Sequence, residues 1–189
     1  MYTDKYRPKK LSEVIGQPVE KVRVWIEGWL KRRSGKPLLI YGPAGVGKTA
    51  TAYALANEYG LEIVEMNASD VRDARRVKRI IGLAAAYGSL FGKGRLILID
   101  EVDGIFADRG GLRALLDILK RTRNPILLTA NDIWDPRLAP LREHCEILEY
   151  KKVRTDLITK HLAEIAAKEG LKVPSAVFHE IARRNKGDM

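Results

Sequence analysis

Five short apolar runs narrow the folds open to this chain more than any other feature. They span Pro37–Tyr41, Glu62–Met66, Arg95–Ile99, Pro125–Ala130 and Glu146–Tyr150. Each has the length of a strand, and helical patterns separate most of them. Before the first, Val22, Trp25, Ile26, Trp29 and Leu30 recur at the spacing of one helix face. After it, Thr49–Tyr59 predicts a helix with Ala52, Leu55, Ala56 and Tyr59 on one face and Gly60 as its stop. The stripe Val77, Ile80, Ile81 and Ala84 follows the second run, and Leu112, Leu115, Leu116 and Leu119 follow the third. Strands that alternate with helices imply a parallel sheet covered on both faces, and near-continuous apolar strands agree. An α/β fold of five strands is therefore expected over residues 1–152.

Beyond residue 152 the strand signal stops. Ile158, Leu162 and Ile165 predict a helix that Gly170 can end, and Ser175 can cap another carrying Val177, Phe178, Ile181 and Ala182. Residues 153–189 read as the start of a separate helical subdomain.

The chemistry begins in the turn after the first strand. Gly42, Pro43, Ala44, Gly45, Val46, Gly47, Lys48 and Thr49 match G-x-x-x-x-G-K-[ST] at every position, with a strand before and a helix after. In such a loop glycines let successive backbone N–H groups turn inward towards phosphate oxygens, and the following helix presents its positive end to the same anion. Lys48 adds a formal charge for the β- and γ-phosphates, and the Thr49 hydroxyl can ligate magnesium.

The third run leads straight into Asp100, Glu101 and Asp103, three carboxylates within four positions. In a parallel sheet the strand C-termini share one edge, where ligands collect. Asp100 should emerge there beside the phosphate loop and hold the shell of a magnesium ion bound with ATP. Glu101, one residue on, is placed to orient and polarise an attacking water, which suits hydrolysis. Asp103 reads as part of a solvated acidic turn. Asn131, ending LLTAN, should reach the same edge as a neutral donor to the γ-phosphate or the water.

Other features bound the possibilities. With 34 basic and 24 acidic residues the chain carries a net charge of +10, which favours anionic partners. No apolar run is long enough to cross a bilayer. The single cysteine, Cys145, excludes an internal disulfide framework, fits a reducing intracellular setting and reads as a small buried hydrophobe in the last strand. His144, His161 and His179 lack companions at metal-ligand spacing, so no protein-held zinc is expected. Arg72, Arg75, Arg76 and Arg79 recur at i, i+3, i+4, i+7. At about 100° per residue they point roughly 140° away from the Val77 stripe. Such a stripe is either an ordinary solvated helix face or, with no acid among its four positions, a track for a nucleic-acid backbone, insensitive to sequence and sensitive to salt.

Together these residues resemble the AAA+ ATPases, whose P-loop, RecA-like domain is a three-layer sandwich followed by a helical lid. The likeness narrows further. DKYRPKKLSEVIGQ is similar to the opening box of replication factor C subunits. NASD, DEVDG and NPILLTANDIWDPRLAPLR resemble the archaeal-type large subunit of that clamp loader. The resemblance implies that Lys5, Tyr6, Arg7, Pro8, Val14, Ile15 and Gly16 border the adenine. It makes Asp100 and Glu101 the Walker B pair and Asn131 the first sensor. It also implies an ATP-driven assembly that loads a sliding clamp of the PCNA type onto primer–template DNA, with small subunits completing a five-membered spiral.

Where small subunits carry Ser-Arg-Cys, with an arginine that reaches into a neighbour's site, this chain has Glu143, His144 and Cys145. A chain that receives such a finger without supplying one fits the large subunit. The family would next place an arginine after Lys186–Met189, so an N-terminal fragment with an incomplete lid, slow in hydrolysis by itself, is expected. Two alternatives stay open: another DNA-remodelling AAA+ ATPase such as a branch-migration helicase, and an ATP-binding scaffold that does not hydrolyse.

Overall fold

The computed structural model describes residues 5–32, 34–67, 75, 82, 94–107, 109–122, 124–185 and 187–188. Among them five strands form one parallel sheet: β1 (Leu38–Tyr41), β2 (Glu62–Asn67), β3 (Arg95–Asp100), β4 (Ile126–Ala130) and β5 (Glu146–Glu149). Their spatial order is β2-β3-β4-β1-β5, so the expected α/β architecture is the one observed. The strand that leads into the Gly42–Thr49 loop, β1, lies between β4 and β5, and β3 is the neighbour of β4. Asn131 and the Asp100 acids are thereby delivered to the same edge as the loop.

The alternation of side chains along each strand divides the interior in two. Leu38, Ile40, Leu96, Leu98 and Leu127 point to the face covered by α1 (Val19–Arg32) and α2 (Lys48–Glu58). Leu39, Ile97, Ile99, Ile126 and Leu128 point to the other, with Leu115 and Leu119 of α3 (Arg109–Arg121) and Leu141 of α4 (Ala139–His144). Leu112 and Leu116 pack more loosely against this second core. In α1, Val22, Trp25, Ile26 and Trp29 are buried, whereas Leu30 is 43% exposed and lies off the buried stripe. Both indoles donate to the Lys36 carbonyl, at 2.8 Å from Trp25 and 3.1 Å from Trp29, so burying them leaves no orphaned N–H.

Beyond the sheet, α5 (Thr155–Lys168) and α6 (Ser175–Arg184) pack around a small third cluster. Val153, Ile158 and Ala182 are buried there, with Ile15, Leu157 and Leu162 against them. Val177 and Ile181 remain 43% and 41% exposed. Ser175 does not cap α6. The cap position belongs to Pro174, whose ring favours the extended approach, and Ser175 is the first helical residue. Cys145 is buried, but it closes α4 rather than standing in β5. Burial pushes its thiol up to about 12. Among the described residues no helix is long and apolar enough to cross a membrane. The stripe Val77, Ile80, Ile81 and Ala84, and Arg72, Arg76 and Arg79, lie outside the described residues. Arg75 is helical and exposed.

Candidate nucleotide site

The loop between β1 and α2 needs its glycines for two separate reasons. At Gly42 a Cβ would collide with the carbonyl of Tyr150, so the chain leaves β1 by passing directly against the residue after β5. At Gly47, the residue that opens α2, φ is 94°, a left-handed conformation that side chains disfavour. Between them the loop turns back on itself and starts α2 at Lys48. The Asp188 carboxylate occupies the space that a side chain at Gly45 would need, which places an anionic group against the loop.

Lys48 is 8% exposed and donates to three acceptors: the Gly42 carbonyl at 2.7 Å, the Pro43 carbonyl at 2.7 Å and Asn131 Oδ1 at 3.1 Å. Burial holds its ammonium below the usual lysine range, while attraction to Asp103, Asp100 and Glu101 pulls it partly back. Thr49 Oγ1 lies 3.0 Å from each carboxylate oxygen of Asp100. Two hard oxygen donors from different elements therefore converge, a donor set that suits magnesium. The cation that offsets the clustered acids is in place in Lys48.

Each acid has its own setting. Asp100 ends β3 and also accepts a hydrogen bond from the Thr129 hydroxyl of β4. Glu101 is exposed, with φ of 54°; among the described residues it is the one non-glycine at positive φ. Holding such a residue left-handed costs about 1–3 kcal/mol. Its N–H is satisfied by Thr129 Oγ1 at 3.0 Å, and its side chain accepts from Asn67 Nδ2 at 3.3 Å. Asp103 departs from the solvated turn expected of it. It is half-buried, and its Oδ2 accepts the Asn131 N–H at 3.0 Å, so it braces the end of β4. Its Oδ1 is buried without a hydrogen-bond partner among the described residues.

Around the loop two further side chains act as clasps. Gln17 donates to the Val46 carbonyl at 3.1 Å and to the Lys151 carbonyl at 2.7 Å, and accepts the Lys151 N–H at 3.2 Å. Thr51 donates to the Gly47 carbonyl at 2.8 Å and lies 3.0 Å from the Tyr150 hydroxyl. With the one Thr51 proton already committed, Tyr150 must be the donor. Burial pushes its phenol up to about 12, so it keeps that proton.

The opening residues form a second group. Val14 packs beside Gly47, and Gly16 beside Leu157 and Val153 at the base of α5. Pro8 is half-buried. Lys5 and Tyr6 both donate to Glu169, and the Arg7 guanidinium sits 4.7 Å from the Tyr53 ring centre. With Ile15 they line a cavity of about 510 Å³ shared with Leu157 and His161 of α5. No residue of the phosphate loop borders it. Glu143 is exposed, and His144 Nδ1 lies 2.8 Å from the Pro140 carbonyl.

A family model described as "ATPase family associated with various cellular activities (AAA)" matches residues 38–152. The chain belongs to this AAA family. The AAA chain is 47% identical over 190 residues to the replication factor C large subunit of Staphylothermus marinus, covering 98% of this chain and 45% of the relative. To the same-named protein of Thermofilum pendens it is 42% identical over 194 residues, covering 100% of this chain and 47% of the relative. It thus spans less than half the length of these relatives. Among solved structures, a RuvB variant of Thermotoga maritima matches with a TM-score of 0.77 at 23% identity, covering 96% of this chain and 61% of that one. That likeness is one of fold.

Of the residues singled out in the sequence, Lys48, Thr49, Asp100 and Asn131 are brought together by hydrogen bonds, with Glu101 directly after Asp100. Sequence reasoning missed Gln17, Asn67, Thr129 and Tyr150, which act on this AAA site from neighbouring segments. Gln17 and Asn67 belong to stretches already singled out, directly after Gly16 and at the start of NASD. Thr129 left one signal, a polar residue inside an otherwise apolar strand. For Tyr150 the sequence held no signal beyond its place at the end of an apolar run.

Proposed function

We propose that this chain is the ATP-binding and ATP-hydrolysing part of a clamp-loader large subunit, which loads a sliding clamp onto primer–template DNA in a hetero-oligomer with replication factor C small subunits. The observation that carries the chemical half is the convergence of Lys48, the Thr49–Asp100 pair, Glu101 and Asn131 at one sheet edge. Identity of 40–47% to replication factor C large subunits over nearly the whole chain supports the biological half. The RuvB likeness favours no second reading, because it extends to fold alone.

In this proposal the backbone N–H groups of Gly45 to Thr49 and the Lys48 ammonium bind the phosphates of ATP. Thr49 and Asp100 would hold magnesium, which when bound neutralises charge on the phosphate oxygens. Glu101 orients a water and accepts its proton as that water attacks the γ-phosphorus, while the bond from that phosphorus to the β–γ bridging oxygen breaks and ADP leaves with phosphate as the other product. Asn131 hydrogen-bonds the γ-phosphate or the water from the end of the adjacent strand, β4. Val14, Ile15 and Gly16, which lie between the loop and α5, border the adenine, with Lys5, Tyr6, Arg7 and Pro8 at its outer rim. Residues 153–189 form the start of a lid over that base, separate from the 1–152 ATPase domain. Arg72, Arg75, Arg76 and Arg79 follow the DNA backbone.

The test is ATP turnover by the full-length chain with and without small subunits, clamp and primed DNA. Stimulation by all three together supports the proposal, and stimulation by DNA with no dependence on clamp or small subunits contradicts it. Glu101→Gln separates hydrolysis from scaffolding, since an unchanged rate would leave only nucleotide-organised contacts.

A further inference from the structure

Thr129 is a fully buried polar residue one position before the end of β4, and packing alone does not explain it. On its own strand Ile126, Leu127, Leu128 and Ala130 are apolar and buried. The β3–β4 register pairs Ile99 with Leu128, so the next step sets Thr129 beside Asp100. By strand alternation both side chains face the α2 side of the sheet, where Thr49 begins its helix.

A hydroxyl has one proton to give and lone pairs to receive with. Thr129 uses both. An ionised carboxylate only accepts, so Thr129 Oγ1 donates to Asp100 Oδ1, and the same oxygen accepts the Glu101 N–H at 3.0 Å. One side chain thus fixes the rotamer of the first acid and the left-handed backbone of the second. Two residues further along, the same strand leads to Asn131, which contacts Lys48.

We infer that Thr129 is a positioning residue for hydrolysis: its hydroxyl sets Asp100 and Glu101 relative to each other and to the β4 segment that carries Asn131. Without that hydroxyl the Glu101 N–H and one face of Asp100 lose their shared partner. Glu101 is then released from its unfavourable φ and no longer aims its carboxylate at one point. Magnesium-independent binding of ATP rests on the loop and Lys48, which Thr129 does not touch, so the larger loss falls on the chemical step.

This inference rests on the hydrolytic reading above, and the experiment separates the two. In the full-length chain, assembled with small subunits whose own hydrolysis is silenced, Thr129→Val keeps the shape and removes the hydroxyl, while Thr129→Ser keeps the hydroxyl. Displacement of a catalytic group by about 1 Å can cost 10²-fold, so T129V is expected to lower kcat by about 10- to 100-fold. ATP affinity measured in chelator should stay close to wild type, and T129S should recover most of the rate. Should T129V fail to assemble, Thr129→Cys, of similar shape but a much weaker donor, takes its place with the same expectation. Wild-type kcat in T129V, or a T129S variant as slow as T129V, overturns the role of Thr129. An unaltered rate in Glu101→Gln overturns the hydrolytic reading beneath it.

Discussion

Removing the Lys48 ammonium takes from the loop the formal charge it offers to phosphate. Hydrogen bonds to charged groups contribute about 1.5–3 kcal/mol, so Lys48→Ala is expected to weaken ATP binding by roughly 10- to 100-fold in a calorimetric titration. Because Lys48 also satisfies three acceptors and offsets the clustered acids, the same variant should lower Tm, with relief from burying a charge offsetting only part of the loss. Glu101 predicts the opposite pattern. Its exposed carboxylate contacts Asn67 rather than the loop, so Glu101→Gln should bind ATP normally while hydrolysis in the assembly falls by about 10²–10⁴-fold. Phosphate release after a single turnover, measured beside equilibrium binding, would expose any drop in affinity and so contradict this division of labour. The charged members of the candidate site were legible in sequence because the loop motif marks Lys48 and the end of an apolar run marks Asp100 and Glu101. Asp103 was read less well, since an acid in a turn looks solvated until a distant strand supplies the Asn131 N–H.

The opening turn, Leu11–Glu13, is attached to the body through Glu58 at the end of α2. Glu58 accepts the Leu11 N–H at 2.7 Å and also pairs with Arg23 of α1. Partial burial alone would raise its pKa, but the Leu11 N–H and the Arg23 guanidinium outweigh it and hold the carboxyl below its usual value. A carboxylate whose folded value is depressed stabilises the fold above its unfolded pKa and loses that contribution as pH falls through the folded one. Glu58→Gln should therefore cost about 1–3 kcal/mol at neutral pH, and the gap to wild type should close in acid melts below the normal carboxylate range. A gap that persists at low pH would show that lost packing, not charge, is responsible. At this scale β1, β3 and β4 were legible because runs buried on both faces are almost wholly apolar, whereas the edge strands β2 and β5 are partly exposed and interleave acids with their apolar residues. Helix ends were less so. Ser175 gave a capping signal, but Pro174 fixed the approach to α6 and displaced it by one residue. Leu30 fitted a helical stripe whose buried part stops at Trp29.

Across the whole molecule, a net charge of +10 makes association with anions dependent on salt. Each phosphate contact contributes about −0.9 to the slope of log affinity against log salt on duplex DNA. Replacing Arg75 and Arg76 together with Ala in the assembly should flatten that slope by roughly 2, and an unchanged slope would remove these arginines from the DNA path. A neighbour's arginine supplies about 10³–10⁵ in related phosphoryl transfer, so the isolated chain should turn over ATP far more slowly than the assembly. The central claim is narrower than any of these: one magnesium–nucleotide joins the lysine after β1 to the acid after β3. Calorimetric titration of ATP into wild type, Lys48→Ala and Asp100→Asn, each with magnesium and with chelator, tests it most directly. Wild type should bind at least about tenfold more tightly with magnesium, a difference of about 1.4 kcal/mol that Asp100→Asn abolishes, while Lys48→Ala weakens binding under both conditions. Folded wild-type protein that takes up no ATP, or an Asp100→Asn variant with its magnesium dependence intact, would contradict the account.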